Sequence, residues 1–210
     1  MANWLNTAFF AFDKGIFKFM HTLARSAGGF FTPFMKFVSV FGEGGIFFVA
    51  LSIALMLFVK TRKLGFTMLL AVGVGALFTN VVIKNAVARP RPFTKDEYLP
   101  FWQFVSAKRQ SEFSFPSGHV TATMSAMTAL FAVCNKKWSW SAFFAVVLMG
   151  FSRVYLIVHY ATDVIGGIIV GGVAGVIAYF ISRYIFKVID QHPENKFCSF
   201  VAKASVIKKK

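Results

Sequence analysis

The chain alternates long apolar runs with polar breaks over most of its length, and these runs set the elements that the sequence predicts. From residue 44 onward, five runs approach the ~20 residues that an α-helix needs to cross a bilayer core: 44–59, 64–84, 117–134, 138–158 and 163–186. A polar excursion, 85–115, separates the second run from the third. The pattern predicts an all-α, polytopic bundle of transmembrane helices.

The first 43 residues are rich in phenylalanine, but charged residues interrupt any clean spanning run. Apolar residues recur there at helical spacing: Ile16, Phe17, Met20 and Leu23. This periodicity indicates an amphipathic helix in the membrane interface, followed by a short or re-entrant segment after Pro33. A distorted spanning helix over roughly 19–41 is the alternative, so five to six spans are expected. The transmembrane core is then 44–187, and 188–210 is a basic cytoplasmic tail.

Three glycines of the last run, Gly167, Gly171 and Gly175, recur every four residues. Small residues at this spacing share one face of a helix and let a second helix approach closely in lipid. We expect this face to pack within the chain rather than to form a dimer, and the oligomeric state stays open.

Charged residues make up 15% of the chain, against about 25% in soluble domains. The formal net charge is nevertheless +15, which in a soluble protein would point to nucleic acid. In a membrane protein, cations gather in the loops at the membrane edge and face anionic headgroups. We therefore expect the bilayer and a lipid as partners, and no nucleic acid.

The distribution of Lys and Arg orients the bundle in the cell membrane. The positive-inside rule places the 60–63 turn, the 136–137 turn and the C-terminal tail in the cytoplasm. The ends of the second and fourth runs and the starts of the third and fifth then share the extracytoplasmic face. The excursion also carries cations, which are expected to contact ligand or solvent: Arg89, Arg91, Lys95, Lys108 and Arg109. Its acidic residues are expected to be solvated: Asp96, Glu97 and Glu112.

Three short motifs fall at the four helix ends on that face. They read Lys84-x6-Arg91-Pro92, Pro116-Ser117-Gly118-His119 and Ser152-Arg153-x5-His159-x3-Asp163. Arginine offers a planar fork to two phosphate oxygens, and lysine offers a point charge. The clustered cations Lys84, Arg91 and Arg153 therefore predict a phosphate site. Snorkelling of Lys84 to lipid headgroups is the alternative.

The second motif opens the third run, where the first turn of a helix leaves backbone N–H groups unpaired and suited to an anion. Ser117 can add a hydroxyl donor, and Gly118 lets the backbone approach closely. His119 has an ordinary pKa of ~6.5 and can hold or release a proton near neutrality. A simple helix cap would explain this tetrapeptide equally well.

His159 and Asp163 lie four residues apart, close enough for the carboxylate to accept a hydrogen bond from the imidazole. Such a bond fixes the tautomer and leaves the other ring nitrogen free to attack. A structural ion pair between Asp163 and Arg153 is one alternative. A metal site made of His119, His159 and Asp163 is another, although the neighbouring cations would repel a metal and attract a phosphate.

Together, the three motifs resemble those of the type 2 phosphatidic acid phosphatase superfamily, which is built on a helical bundle and includes membrane lipid phosphatases. The resemblance implies that His159 is the nucleophile and forms a phosphohistidine, that Asp163 orients it, and that His119 is the general acid. It assigns the binding of the phosphoryl oxygens to a further set of residues: Lys84, Arg91, Ser117, Gly118 and Arg153. It implies no metal and no other cofactor.

The resemblance and the membrane setting imply a hydrolase that acts on a lipid phosphate at the extracytoplasmic face. Undecaprenyl diphosphate is the preferred substrate, with phosphatidylglycerophosphate and phosphatidate as alternatives. A protein that binds or translocates lipid phosphates without catalysis is a second class of function. Haloperoxidase chemistry on bound vanadate is a third.

Overall fold

Helices form the regular structure of this protein in the computed structural model, which describes residues 1–203. No strand occurs within that range, so the all-α prediction is confirmed. The α-helices are α1 (Ala2–Ala8), α2 (Phe10–Phe41), α3 (Ile46–Met56), α4 (Arg62–Ala76), α5 (Lys84–Val87), α6 (Leu99–Val105), α7 (Gly118–Val133), α8 (Lys136–Ser139), α9 (Phe143–Tyr155), α10 (Ala161–Gln191) and α11 (Lys196–Lys203). A π-helical segment, Leu77–Ile83, joins α4 to α5, and short 3-10 turns lie at Glu43–Gly45, Pro92–Thr94 and Trp140–Ala142. The end of the predicted basic tail, 204–210, lies outside the described residues.

Within residues 1–203, three helical segments are long and apolar enough to cross a membrane: Phe10–Met56, Arg62–Thr94 and Ala161–Gln191. The apolar helix α7 is shorter. In the bundle, α10 packs against α4 and α7, α4 packs against α3 and α7, and α9 packs against α2 and α7. The expected total of five to six spans remains a prediction.

The contact between α10 and α7 runs along the glycine stripe. A Cβ atom added at Gly167 would lie 2.9 Å from the Ser117 carbonyl oxygen, and one added at Gly171 would lie 2.6 Å from the Thr121 carbonyl oxygen. Gly175 approaches α7 equally closely. The expected use of this face for packing within the chain is confirmed. The close approach places the first turns of α7 and α10 side by side.

Most of the N-terminal segment forms one helix, α2, which follows the short helix α1 and whose backbone leaves helical geometry at Ala27. The sequence predicts a break at Pro33 instead, but Pro33 lies inside the helix. A proline ring clashes with the carbonyl four residues earlier, which here belongs to Gly29 of the pair Gly28-Gly29. The distortion therefore occurs just before that flexible pair rather than at the proline itself.

Both ends of α2 reach the end of the bundle where α7 and α10 begin. Asp13, near its start, accepts a hydrogen bond from the Thr162 backbone N–H at 3.1 Å. Gly42, just beyond its C-terminus, lies against the His119 imidazole. In the last two turns of the helix, the Ser152 hydroxyl donates to the carbonyl of Met35 at 2.8 Å. The helix therefore covers the same end of the bundle that carries the three motifs.

Candidate active site

The three sequence motifs meet at one end of the bundle. A cavity of about 320 Å³ is lined by five of the eight predicted site residues: Lys84, Arg91, Gly118, His119 and His159. His119 also lines an adjoining cavity of about 440 Å³, together with Arg153. The remaining two, Ser117 and Asp163, are fully buried, and the Ser117 N–H donates to the Asp163 carbonyl at 3.0 Å. The structure therefore brings all eight residues together at this end of the bundle.

His159 follows α9 in the short connection to α10 and is only 1% exposed. Its Nδ1 lies 3.4 Å from Asp163 Oδ2, and its Nε2 lies 2.9 Å from Arg91 Nη1. Burial lowers the pKa of His159 well below its ordinary value, and the charges of Arg91 and Arg153 lower it further. The imidazole is therefore neutral near pH 7. Because a carboxylate only accepts, the proton belongs on Nδ1 and the lone pair on Nε2, towards Arg91.

Asp163 stands in the first turn of α10, where several donors hold its carboxylate. The Tyr160 N–H donates to Oδ2 at 2.9 Å, Arg89 Nη1 donates to Oδ1 at 2.6 Å, and the Ser114 hydroxyl donates to Oδ2. The salt-bridge alternative with Arg153 is wrong, because the arginine that pairs with Asp163 is Arg89. A carboxylate so constrained can orient the imidazole of His159.

The prediction that Arg89 contacts ligand or solvent is wrong. This residue is fully buried and lines neither cavity. It is paired instead with Asp163 and with Asp13 of α2.

Buried donors in this region lack partners within the described part of the chain. They are Nε and Nη2 of Arg153 and the hydroxyl of Ser117. Nη1 of Arg153 donates to the hydroxyl of Ser39. Leaving buried donors unpaired is costly, by about 1–3 kcal/mol each and more for charged groups. An anion with several acceptor oxygens, such as a phosphate, would satisfy them.

Glu112 lies at the mouth of the 320 Å³ cavity and was expected to be solvated. Its carboxylate instead forms an ion pair with Lys84, although its side chain stays 65% exposed. The hydrogen bond from Lys84 holds the pKa of this carboxyl below its usual value, against the opposing effect of burial. The backbone carbonyl of Glu112 accepts from Arg91 Nε at 2.8 Å. The carboxylate of Glu112 is thus already paired with Lys84, one of the cations that the sequence predicts to bind phosphate.

Gly42 is a second residue that the motifs do not reveal. A Cβ atom added there would lie 2.8 Å from Cδ2 of His119 and 2.9 Å from Cε of Met149. Any side chain at position 42 would displace the imidazole of His119, so a glycine is required there. The glycine-rich stretch around Gly42, Gly44 and Gly45 was the available signal, because such clusters often mark close approach of the backbone.

The metal alternative finds no support in the side-chain arrangement. Among residues 1–203, no group of three or more His, Cys, Asp and Glu side chains is placed to hold a metal ion. His119, His159 and Asp163 therefore do not form a ligand set. The donors that face the cavities are mainly cations and N–H groups, which suit an anion.

Comparisons with known proteins identify the family of this chain. The family model described as the PAP2 superfamily matches residues 60–187. An undecaprenyl-diphosphatase of Sulfolobus acidocaldarius is 30% identical over 140 residues, which cover 65% of this chain and 64% of that protein. A lipid A 4'-phosphatase of Porphyromonas gingivalis is 32% identical over 162 residues, which cover 69% of this chain and 67% of that protein.

Among solved structures, a transmembrane PAP2-type phosphatidylglycerolphosphate phosphatase from Bacillus subtilis is similar in fold. The two superpose with a TM-score of 0.68 over 88% of this chain and 90% of that one, at 24% sequence identity. At this identity the likeness establishes the fold alone.

Proposed function

Because the chain belongs to the PAP2 superfamily, we propose that it is an integral-membrane lipid phosphatase that transfers a phosphoryl group to His159. One observation carries this proposal. A neutral, buried imidazole lies between a carboxylate at Nδ1 and the guanidinium of Arg91 at Nε2. That arrangement suits a nucleophile whose target is an anion held by the same cations.

In the proposed first step, the phosphoryl group lies among Lys84, Arg91 and Arg153. Two unpaired donors of Arg153 donate to its oxygens, and Arg91 turns its Nη1 from the imidazole to the phosphate. The lone pair on Nε2 of His159 is then released. It attacks phosphorus as the bond from phosphorus to the leaving oxygen breaks. Cations fixed in a buried site stabilise the charge that develops on the phosphoryl oxygens.

His119 acts as the general acid and then as the general base in the proposed reaction. It lines both cavities, so it can reach the departing oxygen and deliver a proton to it. In the second step a water molecule attacks the phosphohistidine, His119 takes its proton, and the phosphorus–nitrogen bond breaks. The products are the dephosphorylated lipid, or lipid monophosphate, and inorganic phosphate. No step requires a metal ion.

We assign undecaprenyl diphosphate as the substrate, at the extracytoplasmic face. The name of the Sulfolobus relative supports this choice, and the basic turns at 60–63 and 136–137 support the orientation. Phosphatidylglycerophosphate is the second candidate, from the name of the structural relative, and phosphatidate is the third. A role in binding or translocating lipid phosphates without catalysis is the remaining alternative.

Purified protein in detergent would be assayed for phosphate release from undecaprenyl diphosphate, phosphatidylglycerophosphate, phosphatidate and a soluble phosphomonoester, each with excess EDTA. We expect EDTA-resistant release, fastest from the polyprenyl diphosphate. His159→Gln should abolish it, while His192→Gln, at an exposed histidine beyond the far end of α10, should not. Release that persists in His159→Gln would exclude the phosphohistidine. No release from any substrate would favour a binding role.

The orientation can be tested with one cysteine. In a variant whose Cys134 and Cys198 are replaced by serine, Asp96→Cys would place a thiol at an exposed position of the excursion. A membrane-impermeant maleimide should label intact cells at that thiol. Labelling only after the cells are opened would place the site in the cytoplasm.

A further inference from the structure

A second charged cluster lies behind the proposed nucleophile, on the side away from the two cavities. At its centre is the fully buried Arg89. Its Nη1 donates to Asp163 Oδ1 at 2.6 Å and to the Thr162 hydroxyl at 2.7 Å, and its Nη2 donates to Asp13 Oδ2 at 2.9 Å. Its Nε donates to the side chain of Asn6 at 2.9 Å. Every nitrogen of this guanidinium is thus engaged.

Asp13 ties this cluster to the N-terminal helix. Its Oδ1 accepts from the Thr162 N–H at 3.1 Å, and its Oδ2 accepts from the Thr162 hydroxyl at 2.9 Å. Asp13 therefore caps the first turn of α10, the same turn that carries Asp163. A carboxylate at a helix N-terminus is favoured by the unpaired N–H groups there. Helix α2 thus fixes both Arg89 and the start of α10.

The charges of the cluster bear directly on Asp163. Burial alone favours the protonated form of a carboxyl group, whereas a cation within hydrogen-bonding distance favours the ionised form. Arg89 is that cation, since Arg153 faces the cavity instead. A protonated Asp163 could no longer accept at both oxygens, so the bond that holds the Nδ1 proton of His159 would weaken. The donor of Arg91 alone would then hold the lone pair on Nε2.

The groups that face Asp163 come from several elements. Arg89 and the Ser114 hydroxyl approach from the excursion, the Tyr160 N–H and His159 approach from the connection before α10, and Asp13 lies on the far side of the guanidinium. The single positive charge of Arg89 is shared by the two carboxylates, and because a like charge disfavours ionisation, Asp13 helps Asp163 through the position it gives Arg89 and not through its own charge. It prevents the guanidinium from moving away from Asp163.

We propose that Asp13 and Arg89 are a pair of positioning residues that keep Asp163 ionised and thereby hold His159 in the attacking tautomer. The N-terminal helix α2 is then a component of the active site and not only a membrane-interface segment. The proposal rests on the proposed function for its kinetic consequences. The structural part of the proposal is the effect of α2 on the His159 tautomer, and this effect can be measured without turnover.

The kinetic test compares Asp13→Asn, Arg89→Lys and Arg89→Met with the wild-type protein. We expect kcat to fall about 10–100-fold in Asp13→Asn, as for other groups that orient a reacting residue, with KM within about twofold because neither side chain lines a cavity. The acid limb of the pH profile should move to higher pH in Arg89→Met, since Asp163 then protonates more readily. Arg89→Lys should retain part of the activity by keeping the charge.

A matched control uses the neighbouring ion pair of the same helix. Lys14 pairs with Glu97 at 2.5 Å, at half-exposed positions. Glu97→Gln therefore breaks a contact between α2 and the excursion without touching the buried cluster. It should leave kcat and the pH profile unchanged. The proposal would be overturned if kcat fell equally in Glu97→Gln and Asp13→Asn. It would also be overturned if Arg89→Met left the acid limb unshifted and Asp13→Asn left kcat intact.

A measurement without turnover separates this inference from the proposed function. With 15N-labelled histidine, imidazole NMR distinguishes a protonated Nδ1 from an unprotonated one, and His159→Gln identifies the signal among the four histidines. We expect the Nδ1–H form in the wild type and a mixed or Nε2–H form in Asp13→Asn and Arg89→Met. The same tautomer in all three folded proteins would refute the inference, even for an active enzyme. A tautomer change would support it, even if no substrate is hydrolysed.

Discussion

The ion pair between Glu112 and Lys84 leads to a quantitative expectation for phosphate binding. Glu112 places a carboxylate on a cation that the proposed mechanism reserves for the phosphoryl group. Phosphate must displace that carboxylate before it can bind Lys84. Glu112→Gln keeps the size of the side chain and removes its charge. The bond from Arg91 is unaffected, because it ends on the backbone carbonyl of Glu112. The variant should therefore bind phosphate more tightly.

The exposure of the two partners limits the size of this effect. Lys84 is only 7% exposed, which would suggest a strong pair, but Glu112 is 65% exposed and its charge is screened by water. Measured pairs of that kind typically contribute about 0.2–1 kcal/mol. One kcal/mol corresponds to a factor of about five in an equilibrium constant. The inhibition constant of inorganic phosphate should thus fall by about 1.4- to fivefold in Glu112→Gln.

The dependence on pH follows from the lowered pKa of Glu112. A carboxyl whose pKa lies below its ordinary ~4.3 is ionised throughout the range from pH 5 to 8. The ratio of the two inhibition constants should therefore be constant over that range.

The assay is inhibition of lipid-phosphate turnover by inorganic phosphate, in detergent at fixed ionic strength. Glu97→Gln makes the same change of net charge at another acidic residue of the excursion, and it should leave the inhibition constant unaltered. Equal inhibition constants for Glu112→Gln and the wild type would refute the competition. A decrease of fiftyfold or more would show that the pair behaves as a buried one.

Three further changes test other contacts. Gly42→Ala would bring a methyl group to 2.8 Å from Cδ2 of His119, and a displacement of about 1 Å can cost ~100-fold in rate; a normal kcat in the folded variant would contradict this role. Gly171→Ala would meet backbone at 2.6 Å and should destabilise the protein by about 1–3 kcal/mol, lowering its thermal midpoint. Gly73→Ala, which meets no atom within 4 Å, should not; equal midpoints would contradict the packing. Because the folded pKa of His159 lies below the unfolded value of ~6.5, stability should be full above that pH and decline below it, and a His159→Gln variant with the same decline would refute the assignment.

The sequence was sufficient to predict the motif residues because each motif is short and local. Lys84 and Arg91 flank a helix end, Ser117 and His119 flank a helix start, and His159 reaches its neighbour Asp163 over four residues. Hydropathy then predicts the bundle, and the glycine stripe predicts its closest internal contact. Each of these signals depends on spacing along a single element, which is where periodicity is informative.

The residues that were missed act through contacts between distant parts of the chain. Asp13 and Thr162 are 149 positions apart, and Arg89 and Asp163 are 74 positions apart. No spacing rule relates residues at such separations. Asp13 resembled one more charge that interrupts an apolar segment, and Glu112 resembled a solvated loop acid. Their roles depend on which elements pack together, which a single sequence does not specify.

The π-helical segment Leu77–Ile83 has a consequence for how related sequences are compared. Each residue advances an α-helix by about 100°, and a π-helical turn accommodates an extra residue, so it resets the rotational phase of everything beyond it. Lys84 follows this segment directly, and Thr79 and Asn80 within it line the 320 Å³ cavity. Deleting one residue from 77–83 would regularise the helix and preserve its hydropathy, yet it would rotate Lys84 away from the cavity. A relative can therefore keep every residue of the three motifs and still have its lysine directed away from the cavity. The extra residue that orients the lysine lies outside the motif.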